Sequence, residues 1–330
     1  MLFQKIKENI KIIIKNNPKI ILGLSGGADS IFLFHFFKKL HNQNKIILIA
    51  AHLDHGWRKE SIQDLKFCKK LCKNENINFV SESAKNLCLN LKFNGSKEEL
   101  GRNLRRFFLQ NTLKQQQADY IALAHHLQDQ QETFLWRIIR GSSLTGLCCM
   151  KKYDPPYLRP ILNITKQEIL NYLNKNKLQY IEDKTNYSDL FLRNRIRKNV
   201  IPAMQKVDSR FDLKFQSTLR HLQESEAFLH NLTQTIFDII FTKNKKQQIL
   251  YGDLKKFFNL EITLQKRIIL NLLYKQKVIF NPSENYLKEI LRFINNGNGG
   301  SHQICNEWKL FKKKNRFWID KNQPEKNFDT

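Results

Sequence analysis

KIILGLSGGADSIFLFHFFKKL, residues 19–40, decides the fold. Residues 19–24 are an apolar run of strand length, and Asp29 to Leu40 reads as an apolar helix. Between them lies Ser25-Gly26-Gly27-Ala28-Asp29-Ser30, a tight strand–turn–helix junction. Two glycines let the backbone turn sharply and approach a ligand closely, and the helix behind them points its free N–H groups and positive dipole end at the turn. Ser25 and Ser30 add hydroxyl donors. The turn is thus built for an anion, at the carboxyl edge of a sheet where α/β folds bind ligands. It is neither GxxxxGK[ST] nor GxGxxG. Asp29 is the odd member, because a carboxylate repels phosphate unless a cation stands between them. It points to Mg²⁺, or to a substrate amine, in the same site.

Outward from this junction, strand-like and helix-like segments alternate. Residues 45–53 (KIILIAAHL) read as a second strand, followed by a helix from near Ser61 with Ile62, Leu65, Phe67 and Leu71 at roughly helical spacing. INFVSES (77–83) is a short third strand, Glu98 to Lys114 a basic amphipathic helix, DYIALAHH (119–126) a fourth strand, and Asp129 to Ile139 a further helix. The alternation predicts an α/β, Rossmann-like parallel sheet with helices on both faces. KKYDPPYLRP (151–160) is a turn-rich connection, and a helix then starts near Thr165 with Glu168 completing a capping box. Two domains are expected: residues 1–205, and a smaller, mainly helical domain over 206–330 that ends in a short β-hairpin joined at KKKN (312–315).

Composition narrows the class. Lys+Arg 56 against Asp+Glu 30 gives a net charge of +26, a field that attracts polyanions such as nucleic acid. No apolar run reaches the roughly 18 residues a membrane span needs, and Lys11 and Lys15 interrupt any signal-peptide core. A cytoplasmic protein is expected. The six cysteines are irregularly spaced with no CxxC pair, so they read as reduced thiols rather than as disulfide, zinc or cluster ligands.

Two further loops follow strands at the ligand edge: HLDHGWRKES (52–61) and HHLQDQQET (125–133). Their His52, Asp54, His55, His125, His126 and Asp129 would also serve a two-metal hydrolase, though that leaves SGGADS unexplained. SGGADS resembles the SGGxDS loop of the PP-loop pyrophosphatases, which cleave ATP to AMP and pyrophosphate. With LDHGWR (53–58), EELGRNLRRF (98–107), AHHLQDQQETFLWRIIRGS (124–142) and EDKTNYSDLFLRNRIRKNVIP (182–202), the chain resembles the tRNA(Ile)-lysidine synthetase family in motif order across most of residues 20–202. The match departs at Arg106, where the family carries Tyr, and is indistinct beyond residue 210, so no third domain is expected.

The resemblance implies a ligase that uses ATP, Mg²⁺ and free L-lysine to convert the wobble cytidine of a CAU-anticodon tRNA(Ile) into lysidine through an adenylated intermediate. It implies that Ser25, Gly26, Gly27, Ala28, Asp29 and Ser30 hold ATP, and that Asp29 and Asp129 hold Mg²⁺ or the lysine amine. Arg102 and Arg105, at i, i+3 on one helix, suit a phosphate whose charge grows in the transition state. Arg193, Arg195, Arg197 and Lys198 are expected to contact RNA, with Lys312, Lys313 and Lys314 as further phosphate contacts in a tRNA-binding second domain. The competing readings are a tRNA thiolase, which would carry paired CxxC motifs, and a non-catalytic RNA-binding protein.

Overall fold

A computed structural model describes residues 2–11, 13–57, 61–87, 97–182, 192–243, 249–280, 283–305 and 307–321. The chain divides into two compact units, Met1–Leu222 and Gln223–Thr330. The division falls inside a long helix, later than the expected 205/206 boundary, because that helix's first turns pack Phe211, Phe215 and Leu219 around Leu127 and Phe134 of the first unit.

The first unit opens with α1 (Leu2–Asn9), then β1 (Lys19–Gly23), α2 (Ala28–His41), β2 (Ile47–Asp54), α3 (Ser61–Asn74), β3 (Asn78–Ser83), α4 (Lys97–Gln115), β4 (Tyr120–Ala122) and α5 (Leu127–Ile139). It continues through α6 (Leu144–Leu147), β5 (Tyr153–Asp154), β6 (Tyr157–Leu158), α7 (Lys166–Lys175), α8 (Leu192–Arg195), a π-helical turn (Ile196–Val200) and α9 (Ile201–Val207) to the long α10 (Phe211–Ile240). The sheet order is β3-β2-β1-β4-β6-β5, parallel throughout except for β5 against β6.

Strand alternation sorts the core. Ile20 and Leu22 of β1, with Leu48 and Ala50 of β2, face the side covered by α1, α2, α3 and α7; Ile21, Ile49, Ala51 and Leu53 face α4 with Leu104, Phe108 and Leu109. Helices therefore cover both faces, as the sequence predicts. In α2, Phe32, Phe34, Phe36 and Phe37 are all buried, the pattern of a helix enclosed on every side. Cys68 and Cys72 are buried free thiols whose pKa burial pushes up to about 12; Cys88 lies outside the described residues.

The central strand β1 has β2 on one side and β4 on the other, so the chain order reverses between β1 and β4. The crevice beyond their carboxyl ends is the switch point at which open α/β sheets bind ligands.

The second unit holds the rest of α10, then β7 (Phe241–Lys243), β8 (Leu250–Asp253), α11 (Leu254–Phe258), α12 (Ile262–Lys275), α13 (Glu284–Asn295), β9 (Gly300–Cys305), β10 (Trp308–Lys313) and β11 (Arg316–Lys321). Ile268, Ile269, Leu272 and Leu273 of α12 and Leu287, Ile290, Leu291 and Ile294 of α13 supply helical-period apolar faces to one core. The expected hairpin is present as β10 and β11, and belongs to an antiparallel sheet of order β7-β8-β11-β10-β9. SHQIC (301–305) is a strand of its own within it. Among the described residues no helix is long and apolar enough to cross a membrane.

Candidate active site

At the glycine turn the backbone of Gly26 has φ +87°, a left-handed conformation that favours glycine. A Cβ there would lie 2.6 Å from Ile181 Cδ1 and 3.3 Å from Cys68 Sγ, so the position is closed to a side chain on steric grounds too. The Ile181 N–H donates to Gly26 O at 2.9 Å and fastens the turn from beneath. Inside it, Ser25 Oγ donates to Ser30 Oγ (3.2 Å) and Ser30 Oγ to Gly27 O (2.9 Å). The first N–H groups of α2 follow directly, and Gly27 at its N-cap brings no side chain to occupy them.

The neighbouring strand β4 ends at the second loop. Asp129 Oδ2 accepts the backbone N–H of His126 at 2.8 Å, and His126 Nδ1 accepts the N–H of Gln128 at 3.2 Å, which caps α5. With Nδ1 an acceptor, the imidazole proton belongs on Nε2. That Nε2 lies 3.6 Å from Asp29 Oδ2 and 3.7 Å from Asp129 Oδ2. One imidazole N–H thus stands between carboxylates from two adjacent strand ends, 100 residues apart in sequence. Burial pushes the Asp129 carboxyl up, but His126, His125 and Arg197 and the backbone N–H outweigh it and hold the pKa below the ordinary value. Asp129 is densely surrounded by protein while its side chain stays 24% exposed, as in an open cleft.

The other oxygen of Asp29 is taken. Lys166 Nζ donates to Asp29 Oδ1 at 2.6 Å. Lys166 is the first residue of α7, fixed by the Thr165–Glu168 capping box and by its own N–H donating to Gln128 Oε1 at 2.8 Å. The cation that Asp29 requires beside a phosphate is therefore present in the chain itself. Thr165 and Glu168 mark the helix start in the sequence, but no local pattern ties Lys166 to a residue 137 positions away.

A second acid–base pair lies one turn along α5. Arg197, on the π-helical turn, forms a bidentate pair with Glu132 (Nε to Oε1 2.5 Å, Nη2 to Oε2 3.1 Å). Glu132 is buried; its carboxyl is pushed up by burial, with Arg197 opposing that rise. Burial lowers the Arg197 pKa, but the Glu132 hydrogen bonds and charge more than offset this and raise it.

On the opposite face, Arg102 and Arg105 occupy exposed positions of α4. Arg105 reaches solvent yet is closely surrounded by protein, and that desolvation, then the charge of Arg102, lowers its pKa. Desolvation, with Arg105 contributing, brings the His55 pKa down to about 4; desolvation with Arg159, Arg102 and Arg105 does the same for His125. Both imidazoles are thus neutral at physiological pH. His52 is a structural link between strands, Nδ1 bonding Leu24 O at 2.8 Å. Among the described residues no three His, Cys, Asp or Glu side chains converge as a metal cage, so the two-metal arrangement lacks its ligand set. Mg²⁺ needs less: one or two carboxylates together with substrate phosphates, a set that Asp29 Oδ2 and Asp129 can provide beside the glycine turn.

Residues 2–204 match the family model of the PP-loop domain. The chain belongs to the PP-loop family. Among curated relatives it is similar to the tRNA(Ile)-lysidine synthase of Bacillus cereus, at 32% identity over 86% of this chain and 61% of that protein. The Bacillus subtilis enzyme of the same name is 35% identical over 84% of this chain and 60% of its own length. The chain thus spans about three fifths of the curated relatives it matches. The structure of a U34-tRNA thiolase from Methanococcus maripaludis with its [4Fe-4S] cluster shares the fold, with TM-score 0.58 at 22% identity, covering 67% of this chain and 78% of that one.

Within this PP-loop frame the sequence-predicted residues separate. Ser25 to Ser30, Asp29 and Asp129 meet at the switch point, while on α4 the charge of Arg105 acts on His55 and the charges of Arg102 and Arg105 act on His125. Of the expected RNA contacts, Arg195 is exposed, and Arg193 lies over the Trp136 ring at 5.8 Å, with Arg140 stacked on that ring at 4.2 Å. Arg197 is engaged with Glu132, and Lys198 sits beside it on the π-helical turn. Lys312 is buried, its ammonium donating to the carbonyls of Phe293, Ile294 and Asn296 at the end of α13, so it caps a helix rather than reaching outward. Arg58, Asp183 and Phe191 lie outside the described residues.

Proposed function

We propose that this PP-loop protein uses ATP to join L-lysine to C2 of the wobble cytidine in a CAU-anticodon tRNA(Ile), forming lysidine in the cytoplasm. The observation that carries the reading is the pair Asp29 and Asp129, whose carboxylates lie 3.6 and 3.7 Å from His126 Nε2 beside the anion-binding turn. The names of the curated relatives support the choice of substrate.

In this reading the turn 25–30 and the start of α2 bind the pyrophosphate portion of ATP, and Lys166 offsets the charge of Asp29 against it. The cytidine O2 attacks the α-phosphorus, the bond to the bridging oxygen breaks, and pyrophosphate departs. Arg102 and Arg105 stabilise the charge that accumulates on the α-phosphate. The lysine ε-amine then attacks C2, the C2–O bond breaks with AMP as leaving group, and a carboxylate at the switch point accepts the amine proton. Mg²⁺, held by Asp29 and Asp129, would neutralise phosphate charge. The first unit is assigned the ATP chemistry, and the second unit binding of the tRNA.

Radiolabelled lysine, a CAU-anticodon tRNA(Ile) transcript and ATP test this together. Labelling that requires ATP and disappears in Asp29→Ala is expected; AMP release without lysine incorporation would point to a different nucleophile.

A further inference from the structure

Trp57 lies in the loop HLDHGWRKES (52–61), and the described site leaves this residue without a task. Trp57, three residues beyond the end of β2, is 42% exposed. Its setting is nonetheless fixed. Asp54 Oδ1 accepts the Gly56 N–H at 2.8 Å, and Gly56 turns with φ +63°, which sets the direction of the chain into Trp57. The indole stacks on the His55 imidazole, ring centroids 4.7 Å apart and planes 29° from parallel. Its six-membered ring enters a notch in α4 at Gly101, where a Cβ would overlap Trp57 Cη2 and lie 3.1 Å from Cζ3.

Arg102 immediately follows that notch, and Arg105 lies one turn further along the same helix. The platform is therefore an aromatic ring on a fixed seat, with two arginines on the helix that forms the notch. Single-stranded nucleic-acid sites pair the same chemistry: an aromatic face for a base and cations for its phosphates. The helix that follows the anion turn, α2, covers the other face of the sheet. Trp57 thus lies with α4, across the sheet from α2, next to the arginines that the proposed reaction sets at the α-phosphate joined to the RNA.

We propose that Trp57, seated on His55 and the Gly101 notch beside Arg102 and Arg105, is a stacking platform for a base of the single-stranded RNA substrate. His55 suits the seat because its imidazole, neutral at physiological pH, adds no positive charge beneath the indole. The inference rests on the RNA-modifying reading above for its ligand, but its test does not require turnover.

The full chain is titrated with an unstructured RNA containing CAU, without ATP or lysine, while tryptophan fluorescence is followed. Wild type is expected to show quenching that Trp57→Phe lacks. In steady-state assays Trp57→Ala is expected to raise the KM for tRNA roughly 5- to 150-fold, the range for one lost base stack, with the KM for ATP unchanged and with Trp57→Phe largely restoring it. Gly101→Ala gives an independent variant: alanine favours the helix, so the fold is retained while the added methyl displaces the indole. It should reproduce Trp57→Ala, and combining it with the smaller ring of Trp57→Phe should recover tRNA affinity. Quenching without lysine ligation by wild type would sink the proposed reaction and leave the platform standing. A raised KM for ATP with the KM for tRNA unchanged would make the occupant adenine and overturn the proposal, as would quenching that persists in Trp57→Phe.

Discussion

Arg197→Met removes one half of the bidentate pair and leaves Glu132, 4% exposed, without its cation. Keeping the carboxylate ionised costs about 3–5 kcal/mol for a broken buried pair, toward the lower figure here because Arg197 is itself partly exposed. Taking up a proton instead costs 1.36 kcal/mol per pH unit above the ordinary carboxylate value of about 4.3, hence about 3.7 kcal/mol at pH 7 and about 1 kcal/mol at pH 5. Burial already pushes the Glu132 carboxyl up. The sign is therefore fixed: the penalty is present above the unfolded value and fades as pH falls toward it. For a domain of this size about 1 kcal/mol moves Tm by roughly 2–4 °C. Differential scanning fluorimetry should then show a deficit of about 7–15 °C at pH 7 that shrinks to about 2–4 °C at pH 5. Glu132→Gln combined with Arg197→Met leaves no buried charge and should recover most of the loss. A deficit independent of pH, or a double variant as unstable as the single one, would refute the reasoning.

Lys166→Met deprives Asp29 of its ammonium; losing a charge-assisted hydrogen bond of about 1.5–3 kcal/mol should raise the KM for ATP roughly 10- to 150-fold in a pyrophosphate-release assay. An unchanged KM would remove Lys166 from the phosphate site. His55 and His125 have pKa values of about 4 in the folded chain against 6.5 ordinarily, so the unfolded chain takes up protons first. Stability should fall as pH drops from about 6.5 toward 4, and His125→Gln should flatten that slope in a Tm-versus-pH series. Phe37→Ala, in the enclosed helix α2, should cost about 3–5 kcal/mol in urea unfolding; a change below 1 kcal/mol would mean the site collapses around the deletion.

The anion turn was legible because its grammar is local: an apolar strand, two glycines and an apolar helix lie within 22 residues. Alternating burial in β1 and β2, and hence the two helical layers, follows from the same short-range pattern. The paired strands β5 and β6 were missed because two residues each carry no periodicity. Likewise, β7 and β8 are too short to outweigh the helical texture around them. The contacts that shape the site are non-local: Lys166 meets Asp29 across 137 positions and Arg197 meets Glu132 across 65. Sequence gives the charge of Arg197 and Lys312 but not their partners, and both face inward, onto a carboxylate and a helix end.

The most direct measurement is mass spectrometry of the nucleosides from a CAU-anticodon tRNA(Ile) transcript after incubation with the protein, ATP, Mg²⁺ and lysine. The account predicts that one cytidine, at the wobble position, gains the mass of lysine less one water, with AMP and pyrophosphate formed in equal amount. An unmodified wobble cytidine, under conditions where the protein still cleaves ATP to AMP, would contradict it.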